Sequence, residues 1–249
     1  MAKVGFRTNN LAALLFLMTL ALGADTADYY LAFRQALTLR IDERAFLAAP
    51  ETGVSILDRR VMAAIANVPR HLYVPPQLQA VAYHDVPIPL GHGQNISTPF
   101  LVALMTDLAE VTPDDVVFET GTGAGYHAAI LGELCRQVYS VEVIEPLAEK
   151  AAAILKNQGV RNVEIRAGDG YFGWPERGPF DAILVKEAVD HLPLPLLAQL
   201  KPGGRMVIPL GPSNGMQQLT IVEKDLTGAM RKRAVLEVRF LPLQGGRRI

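Results

Sequence analysis

The chain has 249 residues, half of them hydrophobic, with 24 basic against 25 acidic side chains and a net charge of -1. This length suits a single α/β unit, and the near-neutral balance excludes the basic footprint that a nucleic-acid partner demands. With one cysteine, Cys135, and five histidines that show no ligand spacing, neither a disulfide framework nor a metal site is expected.

At the amino terminus, Lys3 and Arg7 precede an uncharged apolar run, Leu11 to Leu22, which is followed by Gly23 and Ala24. That order matches the charged, apolar and small-residue regions of an export signal. The run is shorter than the roughly 20 apolar residues that span a bilayer. Residues 1–24 are thus either a signal or the result of a start assigned upstream of the true one, for which Met18 is a candidate.

Residues 29–110 read as a helical lead-in followed by a loop. Apolar residues recur at helical spacing from Tyr29 to Ala48, and a second helix over Asp58 to Val68 stops before Pro69. Pro75, Pro76, Pro87, Pro89 and Pro99 then exclude long helices and central strands through Phe100. An ordered loop of this length commonly carries function. From Pro99 to Glu110 a helix resumes, with Leu101, Leu104, Met105 and Leu108 on one face.

Residues 111–245 alternate strands and helices. Strands are expected at Val116 to Glu119, Val138 to Val143, Val163 to Ala167, Ala182 to Val185 and Met206 to Pro209. Helices are expected between them at Tyr126 to Cys135, Leu147 to Gln158 and Leu194 to Leu200. This is the rhythm of a doubly wound, mostly parallel α/β sheet covered on both faces. Gln218 to Glu223 and Val235 to Leu241 should close it as an antiparallel C-terminal hairpin, with the basic stretch Met230 to Arg233 in the connection. Together with residues 29–110 this makes one structural domain.

The chemistry concentrates where the first of these strands meets its helix, at Glu119-Thr-Gly-Thr-Gly-Ala-Gly-Tyr126. Gly121, Gly123 and Gly125 permit positive φ and a close approach of backbone to a ligand. Their G-x-G-x-G spacing lacks the third glycine of a dinucleotide fingerprint, because Tyr126 stands there. Glu119, at the strand end, would repel a pyrophosphate and suits a cationic ligand, unless it is simply a solvated strand-end charge. Glu142, one strand-helix-strand unit on, stands where such folds place an acid against ribose hydroxyls. An adenosine compound with an ammonium and a sulfonium, S-adenosyl-L-methionine, meets all these demands.

Several blocks in fixed order extend the pattern: Val68-Pro-Arg with Tyr73-Val-Pro, Pro87-Ile-Pro-Leu-Gly, Gly93-Gln-Asn-Ile-Ser-Thr-Pro, the glycine block, Gly168-Asp-Gly with Gly173-Trp-Pro, Pro179-Phe-Asp-Ala-Ile, Leu200-Lys-Pro-Gly-Gly-Arg and Val238-Arg-Phe-Leu-Pro-Leu. With these the chain resembles the protein-L-isoaspartate O-methyltransferase family of class I S-adenosylmethionine-dependent methyltransferases, over roughly Asp58 to Gly245. The glycine block is common to many methyltransferases; Gly-Gln-x-Ile-Ser-x-Pro is far more specific.

The resemblance implies transfer of a methyl group to the side-chain carboxylate of L-isoaspartyl or D-aspartyl residues in damaged proteins. The resulting ester can collapse to a succinimide, which opens a route back to normal aspartate. It implies that Glu119, Gly121, Thr122, Gly123 and Gly125 line the methionine end of the cofactor, that Glu142 binds its ribose, and that Asp169 and Gly170 flank its adenine. Ser97 matches the family's active-site serine, and Gln94, Asn95 and Ile96 fall in the same substrate loop. Read locally, Ser97 is also a possible N-cap for the helix that follows, a role that Thr98 fills equally well.

Two departures bear on the acceptor. Asn95 stands where the family usually has threonine, and Lys186-Glu187-Ala188-Val189 replaces a short run of small residues and threonine. Facing the acceptor, Lys186 would attract a carboxylate and Glu187 would repel one, each by on the order of a few kcal/mol in a partly dry site. Alternatively the two point to solvent and neutralise each other. The expected partners are isoaspartyl proteins or peptides, with no nucleic acid and no metal, and the chain is expected to be monomeric. The cytoplasm is the expected compartment because the cofactor is found there, with export or membrane tethering as the alternative if residues 1–24 act as a signal. A different acceptor on the same fold, and an exported module without catalysis, are the rival readings.

Overall fold

A computed structural model describes the backbone of residues 9–245 and the side chains of residues 29–245. Five parallel strands form most of one sheet: β3 (Val116–Thr120), β4 (Gln137–Glu142), β5 (Val163–Ala167), β6 (Phe180–Leu184) and β7 (Leu200–Leu210). Antiparallel β8 (Gln217–Lys224) and β9 (Met230–Val238) complete it in the order β5-β4-β3-β6-β7-β8-β9. Both neighbours of β3 run parallel to it, and its Val117, Phe118, Glu119 and Thr120 are all buried. Alternate residues feed opposite faces, as the pleat requires. Val117, Ala182 and Val207 join one apolar cluster, while Phe118, Ile183 and Met206 join another, in which Phe118 stacks on Phe180 with ring centroids 5.1 Å apart.

Helices α4 (Tyr126–Gly132) and α5 (Glu145–Asn157) follow β3 and β4, and α6 (Leu194–Gln199) precedes β7. Upstream lie α1 (Asn9–Thr52), α2 (Arg59–Asn67), the short hairpin of β1 (Ile88–Gly91) and β2 (Gln94–Ile96), and α3 (Pro99–Leu108). Leu37, Ile41, Val61, Ile65 and Leu104 from these helices share an apolar cluster with Val117 and Ile130, so the lead-in and the sheet pack as one core.

The structure moves several boundaries. The first helix runs from Asn9 to Thr52, well beyond the amphipathic segment 29–48. The proline-rich loop holds the antiparallel hairpin β1–β2, turned through His92 and Gly93 at positive φ. The helix after the glycines ends at Gly132 rather than Cys135, and β7 begins at Leu200, ahead of Met206. The basic stretch Met230 to Arg233 belongs to β9, where Arg231 pairs in register with Glu223. An edge strand faces solvent on one side and tolerates such charge, which discourages further strand addition.

The first eight residues of the expected signal lie outside the described residues. No helix among the described residues is long and apolar enough to cross a membrane.

Candidate active site

The strand order reverses direction around β3, and the helices diverge there too: α4 and α5 pack into the apolar cluster of Val117, α6 into that of Phe118. In such a sheet the carboxyl ends of these strands open into a crevice suited to a ligand. A cavity of about 350 Å³ lies there. It is walled by the glycine loop Gly121 to Ala124 and by Glu142, Gly170, Lys186 and Glu187, with residues 94–98 on another side and the C-terminal stretch Arg239 to Gln244 closing it.

The glycine loop is shaped for close approach. Gly121 and Gly123 take φ of +60° and +58°, which L side chains rarely adopt. Glu142 fastens the loop from the next strand: its Oε2 accepts from the Gly123 amide at 2.7 Å and its Oε1 from the Ile144 amide at 3.0 Å. That leaves a carboxylate edge on the cavity wall, available to hydroxyl donors. The Asp169 carboxylate sits differently. It caps a 3₁₀ turn over Gly170–Phe172 by accepting from the Tyr171 amide at 3.0 Å, and it lies against Gly245 rather than among the lining residues; Gly170 lines the cavity.

Gln94, Asn95, Ile96 and Ser97 all line the cavity. The cap of α3 is Thr98, whose Oγ1 accepts from the Leu101 amide at 3.3 Å, so Ser97 is not consumed by the helix. The Ser97 hydroxyl has no hydrogen-bond partner among the described residues. Its backbone is held instead by Arg70, whose Nη2 donates to the Ser97 carbonyl at 2.7 Å while Nε donates to the Ala82 carbonyl at 2.9 Å. Arg70 is fully buried and its guanidinium lies 4.8 Å from the centroid of the Tyr126 ring. His127, also on the cavity wall, pairs through Nε2 with Thr106 Oγ1 at 2.9 Å, and burial holds its pKa well below the ordinary value, so it is neutral at pH 7.

The acidic and basic residues at the strand ends are arranged otherwise than their positions in the chain suggest. Glu119 does not face the cavity: its carboxylate is completely buried, accepts from Ser140 Oγ at 2.8 Å and pairs with Lys186 Nζ at 2.8 Å. Burial pushes its pKa up, and the Lys186 ammonium opposes that shift. Lys186, expected against an acceptor carboxylate or in solvent, is committed to this internal pair with only 8% of its side chain exposed. Glu187 is half-buried at the cavity wall, where Oε2 accepts from Thr120 Oγ1. Its Oε1 lies so close to Gly121 that a Cβ there would overlap it. The sequence alone left unassigned Arg70, His127 and the closing stretch Arg239 to Gln244. The last of these had a signal in the Val238-Arg-Phe-Leu-Pro-Leu block, whereas Arg70 had none beyond its Val-Pro-Arg context.

A fit to an adenosine sulfonium compound follows from the groups present: a glycine-lined approach, a carboxylate edge at Glu142 that can accept from hydroxyls, and a second carboxylate, Glu187, against Gly121. Among the described residues no group of three or more His, Cys, Asp or Glu converges as a metal site would require.

Comparison with known proteins agrees with this arrangement. The family model for protein-L-isoaspartate(D-aspartate) O-methyltransferase matches residues 44–248. A protein-L-isoaspartate O-methyltransferase 2 from Syntrophobacter fumaroxidans is 50% identical over 239 residues, covering 94% of this chain and 97% of the relative. One from Polaromonas sp. is 53% identical over 197 residues, covering 79% of this chain and 93% of the relative. Among solved structures, a protein-L-isoaspartate O-methyltransferase superposes with a TM-score of 0.72 at 26% identity, over 85% of this chain and 66% of that one. A Plasmodium falciparum structure assigned to the same enzyme, in complex with S-adenosyl-L-homocysteine, superposes with a TM-score of 0.72 at 23% identity, over 86% of this chain and 99% of that one, a likeness of fold.

Proposed function

Because this chain belongs to the protein-L-isoaspartate(D-aspartate) O-methyltransferase family, we propose that Ser97 presents the carboxylate of an isoaspartyl side chain to a methyl donor held over the glycine loop. The enzyme is an S-adenosyl-L-methionine-dependent carboxyl methyltransferase. The single observation that carries the residue assignment is that Ser97, with Gln94 and Asn95, shares one cavity with Gly121, Gly123 and Glu142.

When bound, the cofactor supplies an electrophilic methyl group on a positively charged sulfur. The acceptor, a carboxyl with a pKa near 4, is already ionised at pH 7, so no residue here has to remove a proton. That agrees with the neutral His127 and with a serine that has no base beside it. The work of the chain is positional. The Ser97 hydroxyl donates to one oxygen of the acceptor and Arg70 fixes the backbone that carries it. The loop of residues 94–96 and the stretch 239–244 exclude water around the nucleophile, so proximity and partial desolvation supply most of the acceleration. Glu142 holds the ribose, and Asp169 acts through the turn that presents Gly170.

We place this chemistry in the cytoplasm, where the cofactor is available, and in a monomer. Incubation of the purified chain with methyl-labelled cofactor and two peptides that differ only in an isoaspartyl or an aspartyl linkage tests the reading. Label on the isoaspartyl peptide alone is expected, and label on neither would overturn it.

A further inference from the structure

We propose that Glu187 is the acid that receives the ammonium group of the cofactor's methionine end, in place of Glu119, which Lys186 has drawn into the protein interior. The inference rests on the cofactor assignment above and specifies one contact within it.

Three observations carry it. First, both oxygens of Glu119 are engaged, Oε1 by Ser140 and Oε2 by Lys186, and the residue is wholly buried behind the cavity wall. Lys186 lines the cavity and Glu119 does not, so the cation facing that carboxylate is the protein's own. Second, Glu187 stands on the wall itself, with one oxygen anchored by Thr120 Oγ1 and the other lying over Gly121, the first glycine of the loop. Its position is pinned from behind, since the Ala188 amide donates to the Leu241 carbonyl at 2.8 Å and the Leu243 amide to the Ala188 carbonyl at 2.9 Å.

Third, neither acid left on the wall has a protein counter-ion. Lys186 is committed to Glu119, and although Arg239 also lines the cavity it forms no ion pair with Glu187 or Glu142, so both acids stand without a paired cation among the described residues. Enclosure by the protein accordingly pushes Glu187 up to about 7, with the Thr120 hydrogen bond and Lys186 opposing and Glu142 and Glu119 adding to the rise. A ligand ammonium beside Glu187 supplies the missing cation. An incoming acceptor carboxylate would meet repulsion there, which separates this end of the cavity from the Ser97 end.

Calorimetry with two ligands isolates the contact. S-adenosyl-L-homocysteine carries the amino-acid end; 5′-methylthioadenosine keeps the adenosine and sulfur but lacks it. Glu187→Gln is expected to weaken S-adenosyl-L-homocysteine by about tenfold or more while moving 5′-methylthioadenosine by less than about twofold, and Glu187→Thr is expected to act the same way. Equal affinity of wild type and both variants for S-adenosyl-L-homocysteine, or a selective loss in Glu119→Gln instead, would overturn the proposal. Wild type that binds neither ligand would overturn the cofactor assignment itself, a different result from either of these.

Discussion

Arg70 and Ser97 lie 27 residues apart, and the buried guanidinium of the first donates to the backbone carbonyl of the second at 2.7 Å. The contact ties the cavity-lining segment 94–98 to the helical lead-in. It also explains why a fully buried arginine is tolerated: two carbonyls and the face of Tyr126 replace part of its hydration. Removing the guanidinium leaves both carbonyls without their donor. Arg70→Met should therefore lower stability by about 1–3 kcal/mol and reduce kcat more than it changes cofactor affinity. Denaturant unfolding together with steady-state kinetics checks both effects; unchanged kcat in a folded variant would show that the loop does not depend on this anchor.

The proposed role of Ser97 and the capping role of Thr98 would separate function from folding at adjacent positions. Since Thr98 caps α3, Ser97→Ala should leave the melting temperature nearly unchanged while cutting kcat/KM for an isoaspartyl peptide by roughly 10- to 100-fold, the scale of one lost hydrogen bond to a charged group. Thr98→Ala should do the reverse and cost about 1 kcal/mol of stability. Thermal melts and peptide methylation on both variants distinguish the two roles.

The Lys186 pair with Glu119 makes a prediction about stability. Breaking a buried ion pair from one side strands the other charge, at a cost of about 3–5 kcal/mol. Lys186→Met should destabilise by that amount, and Lys186→Met combined with Glu119→Gln should recover a large part of it. A double-mutant cycle by chemical denaturation measures the coupling; additive losses would mean that the two side chains do not interact in solution.

Glu187 predicts a pH dependence of the ligand-free protein. Its pKa rises from 4.5 to about 7 on folding, so between these values the folded chain keeps a proton that the unfolded chain has released. Stability from this group is complete below pH 4.5, falls as pH rises through the window, and is lost above 7, by on the order of 3 kcal/mol in all. His127 acts oppositely, since its lowered pKa removes stability as pH falls below 6.5. The difference between wild type and Glu187→Gln isolates Glu187: the variant should gain on wild type as pH rises from 5 to 8, followed by melting temperature. A constant difference across that range would contradict the assignment.

Much of the fold was readable from local pattern. Short runs rich in β-branched and aromatic residues, such as Val116 to Phe118 and Val138 to Val143, bounded by turn signals and alternating with helical patterns, point to buried strands paired in parallel. The residues that β9 shares with the basic stretch were not readable, because Met230 to Arg233 has no apolar alternation; it is a strand only because β8 offers it an edge. The hairpin β1–β2 was hidden likewise, being held by register between two short segments rather than by propensity.

At the site, residues contiguous in sequence carried their own meaning: three alternating glycines dictate a backbone turn whatever surrounds them, and Gln94 to Pro99 travels as one block. The role of Glu119 was decided elsewhere. It and Lys186 are neighbours only because β6 inserts beside β3 and brings the two strand ends together, across a separation of 67 residues. A carboxylate's preference for a ligand cation or for a protein cation is a matter of distance and desolvation, and both are set by which strands lie side by side. The chain alone therefore determined that an acid, a glycine turn and a serine loop are present, while only the tertiary arrangement determined which acid faces the cavity.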